Sequence, residues 1–174
     1  MQHSDDARRL GGEALWRFSL ALYTRPGVAD AVIALQDRAG LDVNLALFGL
    51  WLGASQGHVL TADEMVDAKA AVAPIAAAAL APLRQLRRQL KAAADVDLQG
   101  LRRRVASLEI GAERRVQYRL AAHFSGASGV QEGDRLAAAQ ANLALIFGPE
   151  AASPEARVLS HALALLIRAA PNQD

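Results

Sequence analysis

The sequence predicts an all-α protein, a single-domain bundle of about six or seven helices around one buried hydrophobic helix. Apolar residues recur at helical spacing through most of the 174 residues, and no segment shows the strict alternation expected of a strand. Alanine and leucine, both strong helix formers, dominate the composition. Between Asp42 and Ala54 the apolar pattern covers almost every side, which is typical of a helix buried all round.

The first helix is expected from about Glu13 to Tyr23. Residues 1–11 before it are polar and punctuated by glycine, so we expect them, like residues 170–174, to form a flexible tail. The Arg25-Pro26-Gly27 turn ends the helix, because a residue that precedes proline disfavours the helical conformation.

Pro26 is expected to open the second helix, which ends at Gly40. The residues that this helix should bury are Val28, Val32 and Leu35. Asp42 is the expected N-cap of the third helix, which runs to about Ala54 and forms the centre of the bundle.

Thr61 and Glu64 show the spacing of a capping box and start the next helical region, which continues to about Ala93. Pro74 and Pro82 lie inside this region. Because proline removes a helical hydrogen bond and clashes with the preceding turn, we expect a kink or a break near each of them.

Three further helices complete the chain. A long amphipathic helix is expected from about Asp97 to Phe124, with an apolar side formed by Leu98, Leu101, Val105, Leu108, Ala112, Val116 and Leu120. The Ser125–Gly129 stretch, SGASG, is predicted as a loop. One helix follows from about Gln131 to Phe147, and the last starts at Ser153-Pro154 and ends before Pro171.

The composition excludes several classes of function. There is no cysteine, so disulfides, thiol nucleophiles and thiolate metal sites are ruled out. The formal net charge of +1 gives no global argument for binding nucleic acid or membranes. The longest apolar run, from Ala70 to Leu83, is too short to span a bilayer, and the start of the chain lacks the core of a signal peptide. We therefore expect a cytoplasmic protein without membrane insertion; seventeen arginines against two lysines further suggest a bacterial source.

Polar residues placed among the first apolar helices are the candidate ligand site. The segment from Leu15 to Gly53 holds five of the eight aromatic residues of the chain. The candidate ligand-binding residues are Trp16, Tyr23, Arg25, Asp37, Asp42 and Asn44. If they converge, their carboxylates could hold a divalent metal, or an Arg–Asp pair could orient a ligand. The alternative is structural: Asp42 caps a helix, Asp37 pairs with an arginine, and Asn44 satisfies a buried carbonyl.

Two groups of charged residues follow later in the chain. Arg84, Arg87, Arg88 and Lys91 form a basic stripe at helical spacing, which is either an interaction face for phosphates or an acidic protein, or an ordinary solvated face. Glu109 and Glu113 share a helix face and either meet the first segment or form a solvated flank. The four histidines show no metal-ligand spacing, and no catalytic, nucleotide-binding or cofactor motif is present.

The stretch LWRFSLALYTRPGVADAVIALQDRAGLDVNLALFGLWLG, from Leu15 to Gly53, resembles the start of an uncharacterised proteobacterial family with a domain of unknown function. Weaker similarity extends through PLRQLRRQLK and the Leu108-Glu109 helix, to about Leu120. The chain departs from the family at LEIGAERR, where the family has a further acidic pattern. The resemblance implies a small bacterial cytoplasmic helical protein and supplies no activity, ligand or catalytic residue.

Two functions remain open from the sequence. The first is a small cytosolic interaction or regulatory protein without catalytic activity, with a protein partner or a second copy of itself, and with weaker support for nucleic acid. The second is a small-molecule or metal-binding protein, or an enzyme, with a helix-lined pocket near Arg25, Asp37, Asp42 and Asn44. The sequence identifies no cofactor and no resident metal.

Overall fold

The computed structural model describes residues 2–92, 94–124 and 135–169, with side chains for residues 9–38, 40–92, 94–124 and 135–168, and all regular structure in them is helical. The helices are α1 (Gln2–Tyr23), α2 (Val28–Ala39), α3 (Val43–Gln56), α4 (Ala62–Ile75), α5 (Ala81–Gln89), α6 (Val96–His123), α7 (Arg135–Phe147) and α8 (Pro154–Ala169). A π-helical turn, Ala76–Leu80, joins α4 to α5, and a 3₁₀ turn, Leu90–Ala92, closes α5. This continuous unit is called the Ala62–Ala92 helix below. The predicted all-α bundle is confirmed.

Helix α3 lies at the centre of the bundle, as its composition predicts. Every residue from Val43 to Gly53 is buried. One side of α3 packs with α2, α7 and α8 through a core that includes Leu47, Leu50 and Leu143. The other side packs with α1, α4 and α6. The bundle is therefore two groups of helices with α3 between them, and a helix apolar on all sides is the element that this position requires.

The predicted caps of two helices are confirmed. The Asp42 carboxylate accepts hydrogen bonds from the backbone N–H groups of Asn44, at 2.9 Å, and Leu45, at 3.4 Å. Thr61 and Glu64 form the capping box, with each side chain bonded to the backbone N–H of the other. These contacts satisfy N–H groups that the first turn of a helix leaves free.

The beginning of α1 differs from the expectation of a tail through residue 11. The helix begins at Gln2, and Gly11 and Gly12 lie inside it. A Cβ atom on Gly12 would lie 2.5 Å from Cγ of Tyr118, so glycine here allows α1 to approach α6 closely. The glycine pair is a contact between helices and not a helix breaker. Pro26 also differs from expectation, because α2 begins after it, at Val28.

The two prolines of the Ala62–Ala92 helix do not break it. Pro74 lies within α4 and Pro82 in the first turn of α5, and the helical path between them is continuous. The departure from α-helical geometry is the π turn Ala76–Leu80, which lies between the two prolines. The expected break therefore does not occur at either proline, and the π turn is the departure from regular helical geometry that lies near both of them.

Helix α6 begins and ends within one residue of the prediction, but its apolar side is only partly covered. Val105, Ala112, Val116 and Leu120 are buried. The remaining members of the predicted apolar side, Leu98, Leu101 and Leu108, are exposed. The predicted SGASG loop, residues 131–134 of the helix predicted from about Gln131, and residues 170–174 lie outside the described residues. Pro154 occupies the first position of α8 as predicted.

Candidate functional site

Three of the six predicted ligand residues lie apart from one another. Asp42 is occupied as the N-cap of α3. Asp37 is exposed on α2, and Arg25 is half-buried in the turn between α1 and α2. The pKa of Arg87 on α5 is raised by Glu109 first and then by Glu113 and Asp37, so Asp37 lies within electrostatic range of α5.

The other three predicted residues belong to three different surroundings. Trp16 is half-buried, with the guanidinium carbon of Arg114 5.9 Å from its ring centroid. Tyr23 is mostly buried, and this burial, with a smaller contribution from Glu113, raises the pKa of its phenol to about 12. Asn44 is fully enclosed between helices. None of the six lines either of the two best-formed cavities of the described residues.

Asn44 instead takes part in a buried hydrogen-bonded chain across three helices. Its Oδ1 accepts from Nε2 of Gln117 on α6, at 3.2 Å. Oε1 of Gln117 lies 3.0 Å from the hydroxyl of Ser19 on α1, which also lies 2.9 Å from the carbonyl of Leu15. Within the described residues, Nδ2 of Asn44 has no hydrogen-bond partner. Because buried polar groups are costly unless paired, this chain fixes how α1, α3 and α6 face one another.

Next to this chain, two glutamates of α6 meet two arginines of α5. Glu109 is 6% exposed. Its Oε2 lies 2.5 Å from Nε of Arg87, and its Oε1 lies 3.5 Å from Nε of Arg84. Nη2 of Arg84 donates to Glu113 at 2.9 Å. The Gln36 side-chain oxygen, with its amide oriented to accept, lies 2.7 Å from Nη1 of Arg84 and ties α2 to the same group.

The predicted basic stripe is therefore divided between two surroundings. Arg84 and Arg87 turn inward to the glutamates of α6, with side chains 17% and 34% exposed. Arg88 and Lys91 remain on the surface. The four residues do not form one solvated face, because helical spacing alone cannot show that α6 carries carboxylates opposite two of them. Glu109 and Glu113 pair with arginines of α5, whereas the two sequence interpretations were a contact with the first segment or a solvated flank.

Asn142 on α7 is a structural residue that sequence reasoning did not single out. Its Oδ1 accepts from the backbone N–H of Leu60 at 2.7 Å. Its Nδ2 lies 2.9 Å from the carbonyl oxygens of both Gly49 and His58. This fully buried amide thus bonds the backbone of His58 and Leu60 in the connection between α3 and α4, and also the carbonyl of Gly49 within α3. The signal in the sequence is a lone asparagine on the apolar side of an alanine- and leucine-rich helix.

The larger cavity is an open groove of about 760 Å³ along α6. Its lining residues on α6 follow one helical face: Gly111, Arg114, Arg115, Tyr118, Arg119 and Ala122. Arg9 of α1 and Ile75 of α4 form its two walls. The groove joins several guanidinium groups to an apolar floor, which no sequence motif indicated.

Inside the groove, Arg114 contacts three residues. Its Nη2 donates to Oε2 of Glu13 at 2.7 Å and to the Tyr118 hydroxyl at 3.0 Å. Its guanidinium carbon lies 5.4 Å from the Tyr118 ring centroid, in addition to its contact with Trp16. The Tyr118 hydroxyl also donates to Glu13, and the hydrogen bonds from Tyr118 and Arg114 lower the pKa of Glu13.

The second unusual surface is the outer face of the Ala62–Ala92 helix. Its central turns expose only small apolar residues, namely Ala70, Ala73, Pro74, Ala77, Ala78, Ala81 and Pro82. Val66 and Leu86, 63% and 38% exposed, lie on either side of this centre. Large contiguous apolar surfaces are uncommon on isolated soluble domains and mark interaction sites.

The described residues contain no cluster of metal-ligating side chains but do contain one long apolar helix. No group of three or more histidine, aspartate or glutamate side chains in the described part of the chain could hold a metal ion. Among the same residues, the Ala62–Ala92 helix is long and apolar enough to cross a bilayer by length and composition alone.

Comparison with known proteins gives one match. The family described as "Protein of unknown function (DUF2390)" matches residues 14–120, more than half of the chain. The matched region coincides with the Leu15–Leu120 stretch on which the sequence resemblance rests. No curated protein and no solved structure matches the chain.

Proposed function

Since this chain belongs to the DUF2390 family, whose function is unknown, we propose from its surface that it is a small cytosolic interaction protein that associates with a second copy of itself. The observation that carries the proposal is the apolar outer face of the Ala62–Ala92 helix. The proposed role of the protein is association and not catalysis, and the outer face of the Ala62–Ala92 helix mediates this association.

The two sides of the Ala62–Ala92 helix show why its outer face is available for a partner. The inward residues Met65, Ala68, Val72 and Leu80 are buried against the bundle. The outer centre, from Ala70 to Pro82, carries no long or charged side chain on its exposed positions. Small side chains allow two helices to approach closely, and burying the alanine and proline surface removes apolar area from water.

The charges at the two ends of this face favour an antiparallel second copy. Asp63 and Asp67 are exposed near the start of the helix, with Lys69 as the one exposed cation among them, and Arg88 and Lys91 are exposed near its end. In an antiparallel pair the acidic end of each copy lies beside the basic end of the other. An isologous two-fold dimer therefore satisfies both ends with one arrangement, whereas a parallel pair places like charges together.

The spacing along the helix supports the same arrangement. Asp67 and Arg88 are about 32 Å apart at 1.5 Å per residue, and the midpoint between them falls at Ala77 and Ala78. A two-fold axis at this midpoint also places Val66 of one copy near Leu86 of the other. The apolar centre, the two larger side chains and the charges are thus in register about a single axis.

A membrane surface is the competing occupant of the same face. Helices that insert into the membrane interface carry tryptophan, phenylalanine or leucine on the apolar side. The centre of this face carries alanine and proline, and there is no aromatic residue between Ala62 and Ala92. Alanine gains little from transfer into lipid but permits close helix contact, which favours a protein partner.

Sedimentation equilibrium on a set of charge variants tests the proposal. The wild-type protein should show a reversible monomer–dimer equilibrium. Asp67→Arg should weaken the dimer by roughly tenfold or more, because each of the two symmetric contacts then opposes two arginines. The double variant Asp67→Arg with Arg88→Asp should restore association, since the swapped charges again attract.

Asp30→Arg is the matched control, because Asp30 is an exposed aspartate in the first turn of α2 and lies outside the outer face. It should leave the dissociation constant unchanged. A wild-type protein that stays monomeric at high concentration contradicts the proposal. The proposal is also contradicted if the monomeric protein binds phosphatidylcholine–phosphatidylglycerol vesicles and Ala77→Glu abolishes this binding.

A further inference from the structure

We infer that the groove on α6 is a binding site for a small organic phosphate of about nucleotide size that carries two or more negative charges. The site is separate from the outer face of the Ala62–Ala92 helix, so it does not depend on self-association. The juxtaposition that carries the inference is a set of four arginines over an apolar floor, two of which, Arg9 and Arg115, form no ion pair within the described residues.

The groove concentrates positive charge that its own residues do not neutralise. Four arginines line it, and among the described side chains Glu13 is the carboxylate paired there. That carboxylate is already bonded to Arg114 and Tyr118. Arg9 and Arg115 form no ion pair within the described residues. Like charges gathered in this way repel one another, so an anion that binds between them is stabilised.

The arginines suit phosphate in particular. Guanidinium groups are planar and can donate two parallel hydrogen bonds to one phosphate or carboxylate group. Arg115 and Arg119 lie one turn apart on the face of α6 that also carries Gly111 and Arg114. Arg9 of α1 lines the other side of the groove. Nη1 of Arg119 lies 3.4 Å from the Ala71 carbonyl, a weak contact that orients the side chain. Guanidinium groups on two sides of the groove favour a ligand with more than one negative charge.

The floor of the groove accounts for the organic part of the ligand. Ile75 and Ala122 provide apolar surface, and a Cβ on Gly111 would meet nothing within 4 Å, so this turn of α6 is open. The ring of Tyr118 is fixed by its bond to Glu13. A volume of about 760 Å³ lies within the range of small-molecule sites. An apolar or aromatic body next to the phosphates would cover this floor.

Isothermal titration calorimetry with ADP as the probe tests the inference, with pyrophosphate and adenosine as partial probes. ADP should bind saturably at one site per chain, and more tightly than either part alone. Arg115→Gln should weaken ADP binding by about tenfold, the loss of one charge-assisted contact. Arg115 is exposed, so circular dichroism should show the same helical content and melting temperature as the wild type.

Arg104→Gln is the matched control, because Arg104 is an exposed arginine of the same helix outside the groove. It should leave ADP binding unchanged. Equal weakening by both variants overturns the site, since the effect would then reflect net charge alone. Pyrophosphate binding as tightly as ADP overturns the role of the floor. Much tighter binding of a single-stranded oligonucleotide or an acidic peptide overturns the assignment to a small ligand.

Discussion

At the level of single residues, Tyr23 shows how burial changes the chemistry of one side chain. Its phenol is removed from water where α1 ends, near Glu113 and Arg84. Burial disfavours the charged phenolate, Glu113 adds to this effect and Arg84 opposes it, so that the pKa rises to about 12. The sequence identifies only the residue type here, because the pKa depends on residues of helices that are far apart in the chain.

Titration of the phenol absorbance tests this account of Tyr23. The chain has two tyrosines, so the difference between wild type and Tyr23→Phe isolates one ionisation, which should have its midpoint near pH 12. The unfolded pKa is about 10. Because the folded pKa is higher, the contribution of the neutral phenol to stability is complete below about pH 10 and is lost as the pH rises toward 12. A difference midpoint near 10 would contradict the burial of this group.

Single residues also show what a sequence can and cannot predict. Asp42 and the Thr61–Glu64 pair were predictable as caps, because capping depends on neighbours within one turn. The close contact of Gly12 with α6 could not be predicted, because its partner Tyr118 lies more than a hundred residues away in the chain. Asn44 was identified as a buried polar residue that needs a partner, but local spacing could not show that this partner is Gln117.

At the level of helices, the contact between α3 and α7 depends on two glycines of the central helix. A Cβ on Gly53 would lie 2.2 Å from the backbone nitrogen of Ala139, and one on Gly49 would lie 2.5 Å from Cδ1 of Ile146. The backbones of the two helices are therefore almost in contact. Asn142, one turn beyond Ala139 on α7, then reaches the connection between α3 and α4.

Urea unfolding of two glycine variants tests this close approach. Gly53→Ala should destabilise the protein by roughly 3 kcal/mol, because the backbone of α7 cannot yield as a flexible side chain would. Gly111→Ala is the control: it is also in a helix, but its Cβ meets nothing within 4 Å, so it should stabilise by about 0.5–1 kcal/mol through helix propensity. Equal effects of the two substitutions at one fixed protein concentration would show that α3 and α7 are not in close contact.

The helices themselves were largely predictable, and their exceptions have physical causes. Periodicity and caps located α3, α6 and α8 to within a few residues. The expected breaks at Pro74 and Pro82 did not occur, and the chain instead forms a π turn between the two prolines. The six predicted ligand residues lie on one segment, but the partners of Asn44 and Trp16 are on α6, far away in the sequence, and local spacing could not identify them.

At the level of the whole molecule, the surface of the bundle is the feature that sequence alone could not provide. The run from Ala70 to Leu83 is visible as an apolar stretch, and a buried helix would have the same composition. Only the packing of α4 and α5 on α6 shows that half of this run is exposed. The basic residues of α5 were likewise visible, but which of them turn inward depends on Glu109 and Glu113.

Oxidative cross-linking is the most direct test of the central claim, that two copies pair through the outer face in antiparallel orientation. The chain has no cysteine, so single cysteines can be introduced without interference. Ala77→Cys, at the predicted two-fold axis, should form a disulfide-linked dimer rapidly, since a disulfide needs Cα atoms within about 7 Å.

Ala70→Cys alone should not cross-link, because its two copies would lie about 20 Å apart in the antiparallel pair. A mixture of Ala70→Cys and Gln85→Cys proteins should give the heterodimer, because these positions oppose each other across the axis. That pattern is the result the account predicts. Equal cross-linking of Ala70→Cys and Ala77→Cys would show a parallel pair, and no cross-linking at any of the three positions would show that the outer face does not join two copies.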